Sequence, residues 1–222
     1  MNPLDKAFPN REIISGKRLQ SLPPALFLVI DGINIIRHEQ LDHIICKTDY
    51  IEIEAQHIDS SQINIEELYH ILSYLQGTAL NLAGLQRIFL RTLSQQVIMV
   101  DPRLRIPKTF DDFLLLMNRF AADGLVRSET GSPLMKFIKS DLSLSLPAGT
   151  LRYSVYTGKG KTQNFQHIFE KQAPLIYLNI DPSIPTQDEL LSSTFLISKD
   201  ELTAENVASR IVQIAQFKNS IW

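Results

Sequence analysis

The chain has 222 residues, of which 44% are hydrophobic and 21% are charged, and its formal net charge is -2 at pH 7. This length can bury a core without disulfides or metals, and the charge gives no electrostatic reason to expect a polyanionic partner, so nucleic-acid binding is disfavoured. The single cysteine, Cys46, excludes an intramolecular disulfide and a multi-thiolate zinc site. The start of the chain has neither a secretory signal nor a membrane-spanning run, which predicts a cytoplasmic protein.

Residues 1–24 are predicted to form an extended arm ahead of the folded part of the chain. Prolines stand at positions 3, 9, 23 and 24 of this stretch. Proline restricts its own φ angle and lacks a backbone donor, which favours an extended segment over a packed one. Residues 25–222 are predicted to form a single α/β domain, in which the range 64–94 is a candidate helical insertion.

The first half of the domain alternates between strand-like and helix-like patterns. An apolar run over 26–30 predicts a buried strand, and the period-two alternation over 50–58 predicts a strand with one wet face. Helical spacing of apolar residues predicts helices over 64–76 and 78–94, with a buried strand over 97–100 after them.

The second half continues the alternation. Thr109 is the predicted N-cap of a helix that ends at Gly124. The later predictions are a short strand or exposed flap over 142–146, strands over 151–156, 175–180 and 194–198, and helices over about 162–171 and 203–217. Strands that alternate with helices in this way predict a three-layer, Rossmann-like α/β sandwich with a mainly parallel sheet.

Three of the apolar runs stop on an aspartate that is followed at once by glycine or proline. These aspartates are Asp31, Asp101 and Asp181. Ligands in parallel sheets bind where strands end, and carboxylate oxygens are ligands that Mg²⁺ prefers, so the three side chains are candidate metal ligands. The alternative is ordinary turn chemistry, in which each carboxylate accepts hydrogen bonds from nearby backbone N–H groups.

A glycine-containing loop follows the strand predicted over 151–156. Its residues are Gly158, Lys159, Gly160, Lys161 and Thr162. A helix N-terminus after this loop would present free N–H groups to an anion, which predicts a phosphate- or nucleotide-binding site. Both familiar patterns are incomplete, because Val155 and Gln163 stand where the Walker and dinucleotide motifs need a glycine. The alternative is a tight turn with solvated lysines.

The stretch Asp31-Gly32-Ile33-Asn34 resembles the Asp-Gly-any-Asn start of the NYN/PIN-like ribonucleases. That resemblance implies a metal-binding aspartate and phosphodiester hydrolysis. The later acidic motif of that family, an aspartate pair after a central strand, is missing, since Pro182 and Ser183 follow Asp181.

The chain has only 9 glycines in 222 residues, which is fewer than an average usage of about 7% would give. Few glycines and incomplete nucleotide motifs predict an interaction or assembly subunit that has a protein partner and a degenerate phosphate- or nucleotide-binding loop. The alternative is an enzyme that binds a nucleotide or phosphorylated substrate with Mg²⁺, through the glycine loop and the three aspartates.

Overall fold

A computed structural model describes residues 23–38, 43–139, 141–170 and 172–221 of the chain. The strands are β1 (Leu26–Ile33), β2 (Gln86–Thr92), β3 (Val97–Val100), β4 (Leu125–Arg127), β5 (Pro133–Ile138), β6 (Arg152–Thr157), β7 (Leu175–Asn179) and β8 (Ser193–Ser198). The α-helices are α1 (Tyr50–Ala55), α2 (Ile65–Gly77), α3 (Ala79–Leu82), α4 (Phe110–Asp123) and α5 (Ala204–Lys218). Turns of 3-10 helix occupy Ser60–Gln62, Leu142–Ser145 and Gln166–Phe169. Within the described ranges, no helix is long and apolar enough to cross a membrane.

The strands form one sheet in the order β4-β5-β3-β2-β1-β7-β6-β8. In this spatial order, the neighbouring strands β2, β1, β7, β6 and β8 are all parallel to one another. Strands β3, β5 and β4 extend the other end of the sheet with antiparallel pairs. This arrangement confirms the predicted α/β sandwich with a mainly parallel sheet. The buried strand predicted over 97–100 is antiparallel to β2, because only residues 93–96 separate the two strands, and parallel neighbours need a crossover of a dozen or more residues.

Three helices, α2, α4 and α5, pack on one face of the sheet and enclose the main core. Leu28 of β1, Leu72 of α2, Phe113 of α4 and Ile211 of α5 are fully buried within it. Each helix presents an apolar stripe at helical spacing, which is why the sequence pattern predicted them. The predicted boundaries of α4 are confirmed: the Thr109 side chain accepts a hydrogen bond from the Asp112 N–H, and the helix ends at a left-handed glycine.

The opposite face of the sheet carries a smaller apolar cluster. Phe27 and Val29 of β1 and Phe89 of β2 are buried there, in contact with Leu142. Leu142 begins a 3-10 turn, so the range 142–146 does not form the strand that was one alternative for the leucine alternation. This face also carries the polar side chains described below.

Three other local predictions are wrong. Residues 50–55 form α1 and not a strand, and Ile51 is 79% exposed. Helix α3 is short and is followed by Gly84 at a φ of 72°, after which the chain enters the centre of the sheet as β2. The range 64–94 therefore contributes a central strand as well as helices. In the described part of this predicted helix, residues 162–170, a single 3-10 turn forms instead.

The division into an arm and one α/β domain stays a prediction. Residues 1–22 of the predicted arm lie outside the described residues.

Candidate functional site

The loops that follow β6, β7 and β8 are joined by backbone hydrogen bonds at the carboxyl edge of the parallel strands. The Thr157 N–H donates to the Pro182 carbonyl at 2.7 Å, and the Gly158 N–H donates to the Ser198 carbonyl at 3.0 Å. We call residues 157–163, 180–186 and 196–203 the loop cluster. The carboxyl ends of parallel strands are where ligands bind in open α/β sheets, so the loop cluster is the first candidate for a binding site.

Two glycines shape the first loop of the loop cluster. Gly158 and Gly160 have φ angles of 147° and 148°, which L side chains rarely adopt. A Cβ atom at position 160 would lie 2.8 Å from the Leu196 side chain, whereas at position 158 it would meet no atom within 4 Å. A side chain at position 160 would therefore displace the end of the Leu196 side chain, whereas Gly158 leaves open space beside the backbone.

The anion-binding argument for this loop does not hold in the structure. Among the described residues 162–170, no α-helix starts, so the loop is not followed at once by a helix N-terminus with free N–H groups. Lys159, Lys161 and Thr162 are exposed on the outside of the loop. Their arrangement matches the solvated turn that was the alternative interpretation.

Thr157, the last residue of β6, carries a buried hydroxyl in the loop cluster. Its side chain is 1% exposed, and Oγ1 has no hydrogen-bond partner among the described residues. Buried polar groups almost always have a partner, so an unpaired one next to an open glycine is a candidate ligand contact.

Asp31 lies at the end of β1, beside the loop cluster, and is only 7% exposed. Its carboxylate accepts two hydrogen bonds from Arg91, from Nε at 2.7 Å and from Nη2 at 2.8 Å. The Thr186 hydroxyl donates to the same carboxylate at 2.8 Å. The hydrogen bond to Asp31 raises the pKa of the Arg91 guanidinium.

Tyr177 of β7 connects this ion pair to a second one. The Arg91 guanidinium lies 4.8 Å from the centre of the Tyr177 ring, and Arg152 Nη1 lies 3.4 Å from its hydroxyl. The Asp188 carboxylate is 3.6 Å from both guanidinium groups. Burial, together with a hydrogen bond to Asp188, raises the pKa of Tyr177. These four side chains line a cleft of about 690 Å³ on the face of the sheet opposite the helices.

The three strand-end aspartates do not converge. Asp101 follows an antiparallel strand, so it lies at the other edge of the sheet, where it accepts hydrogen bonds from the Arg103 N–H and guanidinium. Asp181 accepts hydrogen bonds from the Ser183 N–H at 3.0 Å and the Ser183 hydroxyl at 2.6 Å. Turn capping, the alternative interpretation, therefore describes both residues. In the described part of the chain, no group of three or more His, Cys, Asp or Glu residues could hold a metal ion.

Sequence reasoning missed the contacts that define this region. Thr186 and Asp31 are 155 residues apart, and Arg91 and Asp31 are 60 apart. Neither Arg91 nor Thr186 belongs to a local motif, and Thr157 is an ordinary strand residue by composition. Their roles depend on the order of the strands, which one sequence does not reveal.

Comparison with known proteins identifies one family. The EMG1/NEP1 methyltransferase family model matches residues 43–216. The chain is 34% identical over 99 residues to the ribosomal RNA small subunit methyltransferase nep-1 of Caenorhabditis elegans, a match that covers 44% of this chain and 43% of that protein. It is 26% identical over 121 residues to NEP1 of Mus musculus, covering 54% and 50% of the two chains. The matches thus span about half the length of these curated relatives.

A solved structure shows the same fold. It is Archaeoglobus fulgidus Nep1 bound to S-adenosylhomocysteine, with a TM-score of 0.70 and 13% sequence identity, and the match covers 88% of this chain and 99% of that one. At this level of identity the match shows the fold alone.

These matches correct the functional predictions made from the sequence. The interaction or assembly subunit with a protein partner is wrong, because the matching family consists of methyltransferases. The expectation against nucleic acid is wrong, because the curated relatives are ribosomal RNA methyltransferases. A nucleotide or phosphate with Mg²⁺ is the wrong cofactor class, since the structural relative contains S-adenosylhomocysteine. The ribonuclease resemblance does not identify the family either. The chain belongs to the EMG1/NEP1 methyltransferase family.

Proposed function

We propose that the chain is an S-adenosylmethionine-dependent methyltransferase that acts on ribosomal RNA and binds its cofactor in the loop cluster. The observation that carries this proposal is the buried, unpaired hydroxyl of Thr157 beside the open backbone of Gly158. Membership of the methyltransferase family supports it. Bound S-adenosylmethionine would supply the methyl group that is transferred to a nucleophilic atom of the RNA, with S-adenosylhomocysteine as the other product.

The chemistry of the loop cluster suits this cofactor. An adenosine moiety has several hydrogen-bonding atoms, and the Thr157 hydroxyl is a buried group able to pair with one of them. The absence of a side chain at Gly158 allows a ligand to approach the backbone. The sulfonium group of the cofactor is a cation, which positive side chains would repel. Lys159 and Lys161 are exposed, so their positive charges lie in solvent.

The loop between β3 and α4 is the part of the chain that we propose to contact RNA. It contains Arg103, Arg105 and Lys108, and the latter two are exposed. A local group of basic side chains attracts phosphates even when the net charge of the chain is -2. We therefore expect that the Arg105→Ala and Lys108→Ala variants weaken RNA binding and reduce its salt dependence. The cytoplasmic location stays a prediction.

Calorimetric titration of the purified full chain with S-adenosylhomocysteine tests the cofactor site. We expect binding by the wild type, and Thr157→Val weakens it by about tenfold, the effect of losing one hydrogen bond of about 1.4 kcal/mol. Thr157→Ser, which keeps the hydroxyl, restores the affinity. Thr157→Val has little effect on the stability of the ligand-free chain, because the hydroxyl has no partner there.

A glycine pair provides a matched control. Gly158 and Gly131 both have positive φ angles, and a Cβ at either position meets no atom within 4 Å. Gly131 lies in the hairpin between β4 and β5, far along the sheet from the loop cluster. We expect Gly158→Ala to weaken S-adenosylhomocysteine binding and Gly131→Ala to leave it unchanged.

Activity is measured as transfer of a radiolabelled methyl group from S-adenosylmethionine to small-subunit ribosomal RNA, with large-subunit RNA as the comparison. We expect label in the small-subunit RNA. The proposal is overturned if the wild type neither binds S-adenosylhomocysteine nor transfers label to either RNA.

A further inference from the structure

We propose that Asp31, Arg91 and Thr186 are positioning residues that hold the loop over 180–186 in the shape that the cofactor site needs. This inference rests on the proposed function, because it assigns the loop cluster to S-adenosylmethionine. It gives the strand-end carboxylate a role other than metal binding.

The loop is attached at both ends to the same residue. At its start, the Ile180 N–H donates to the backbone carbonyl of Asp31 at 2.8 Å. At its end, the Thr186 hydroxyl donates to the Asp31 carboxylate at 2.8 Å. Between these points, the Pro182 carbonyl accepts the Thr157 N–H at 2.7 Å. These hydrogen bonds therefore link the position of Asp31 to that of Thr157, which carries the unpaired hydroxyl.

Arg91 fixes the carboxylate that anchors the loop. It is bidentate to Asp31, which limits the rotation of the carboxylate and leaves Oδ2 directed at Thr186. The guanidinium is itself held against the Tyr177 ring. The side chains of Arg91 and Asp31 are 11% and 10% exposed, so water competes little for these contacts.

Thr186 is the residue at which a substitution can change the position of the loop with little effect on the stability of the fold. Its removal from the contact leaves the Asp31–Arg91 ion pair intact, and its N–H still donates to Ser154 Oγ at 3.1 Å. Thr186→Val keeps the shape of the side chain and loses the bond to the carboxylate. The variant therefore loosens one end of the loop without leaving a buried charge unpaired.

The test compares Thr186→Val with Thr150→Val in the full chain. Thr150 lies before β6, and its hydroxyl donates to the Pro147 carbonyl at 2.7 Å, so the control loses one local hydrogen bond outside the loop cluster. We expect Thr186→Val to weaken S-adenosylhomocysteine binding by about tenfold, within the usual range for coupled sites. We also expect it to raise KM for S-adenosylmethionine with kcat within about twofold of the wild type. Thr186→Ser restores both values, and Thr150→Val changes neither.

Amide hydrogen exchange gives a readout that does not depend on the ligand. Exchange at the Thr157 and Ile180 amides becomes faster in Thr186→Val and stays at the wild-type rate in Thr150→Val. Wild-type affinity and wild-type exchange in Thr186→Val would overturn the inference. A wild-type chain that does not bind S-adenosylhomocysteine would instead overturn the proposed function, and the exchange rates would still decide whether Thr186 positions the loop.

Discussion

The two faces of the sheet are held together by different interactions. On the helix-covered face, side chains such as Leu28, Phe113 and Ile211 are fully buried among other apolar groups. On the opposite face, Arg91 and Arg152 are paired with carboxylates around the buried ring of Tyr177. The first face gains free energy from area removed from water, at about 25 cal/mol per Å². On the second face, the ion pairs contribute little net stability, and they fix the directions in which their side chains point.

Because of this difference, the fold and the candidate site depend on different kinds of interaction. Apolar packing tolerates changes that keep volume and pattern, whereas a bidentate ion pair depends on both partners. We therefore expect substitutions in the apolar core to change stability, and substitutions in the Asp31, Arg91 and Thr186 contacts to change cofactor binding as well.

The largest expected effect is on the helix-covered face. Phe120 of α4 is fully buried, with its ring 4.9 Å from that of Phe137. Phe120→Ala should lower the free energy of unfolding by about 4 kcal/mol, through lost burial and the cavity left behind. Leu115→Ala, on the same helix at a position that is 59% exposed, should change it by less than about 0.5 kcal/mol. Urea unfolding measures both, and similar losses would contradict this account of the core.

The next effect is on the opposite face. Arg91→Met leaves the buried carboxylate of Asp31 without its cation, and the free energy of unfolding should fall by about 3 kcal/mol. The Asp31→Asn and Arg91→Met changes together should cost at least about 1 kcal/mol less than the sum of the single changes, because they remove one shared interaction. Additive losses in a double-mutant cycle would show that the two residues act independently.

A smaller effect concerns the pH dependence of stability. Burial raises the pKa of Tyr177 above its unfolded value, so the folded state binds this proton more tightly than the unfolded state. The contribution of Tyr177 to the free energy of unfolding is complete below the unfolded pKa of about 10. It is lost as the pH rises above that value, by up to about 1.4 kcal/mol per pH unit. Tyr177→Phe should remove that part of the slope. Identical slopes for the two proteins between pH 9 and pH 11, measured by urea unfolding, would exclude Tyr177 as its source.

The smallest expected effect is local. Thr109 caps α4 by accepting a hydrogen bond from the Asp112 N–H and donating one to the Asp112 carboxylate. Thr109→Ala should cost about 1 kcal/mol of unfolding free energy, and Thr109→Ser should retain most of it. Cofactor affinity should stay at the wild-type value, because α4 packs on β4, at the end of the sheet away from the loop cluster. A matching loss of S-adenosylhomocysteine affinity would contradict the placement of the cofactor in the loop cluster, at the other end of the sheet.

The helix-covered face could be predicted from sequence because its signals are local. The apolar spacing in α2, α4 and α5 and the Thr109 cap each fall within a few turns of chain. The strand β2 could not be assigned in this way. Ile88 and Leu90 belong to the core on one face of the sheet and Phe89 to the cluster on the other, so its apolar run has no period-two pattern.

The candidate site could be predicted only in part. The glycines mark the loop over 158–162 in the sequence, and this loop lies in the loop cluster, but the helix expected after it does not form. Asp31 was identified as a strand-end carboxylate, and its partners were not, because Arg91 and Thr186 reach it through the order of strands in the sheet. No local spacing encodes these contacts.

The most direct test of the central claim is a crystal structure of the full chain with S-adenosylhomocysteine. We predict that the ligand lies in the loop cluster, with one of its polar atoms within hydrogen-bond distance of Thr157 Oγ1 and its adenosine next to Gly158. Ligand bound instead in the cleft lined by Arg91 and Arg152, or bound with Thr157 Oγ1 still unpaired, would contradict the account.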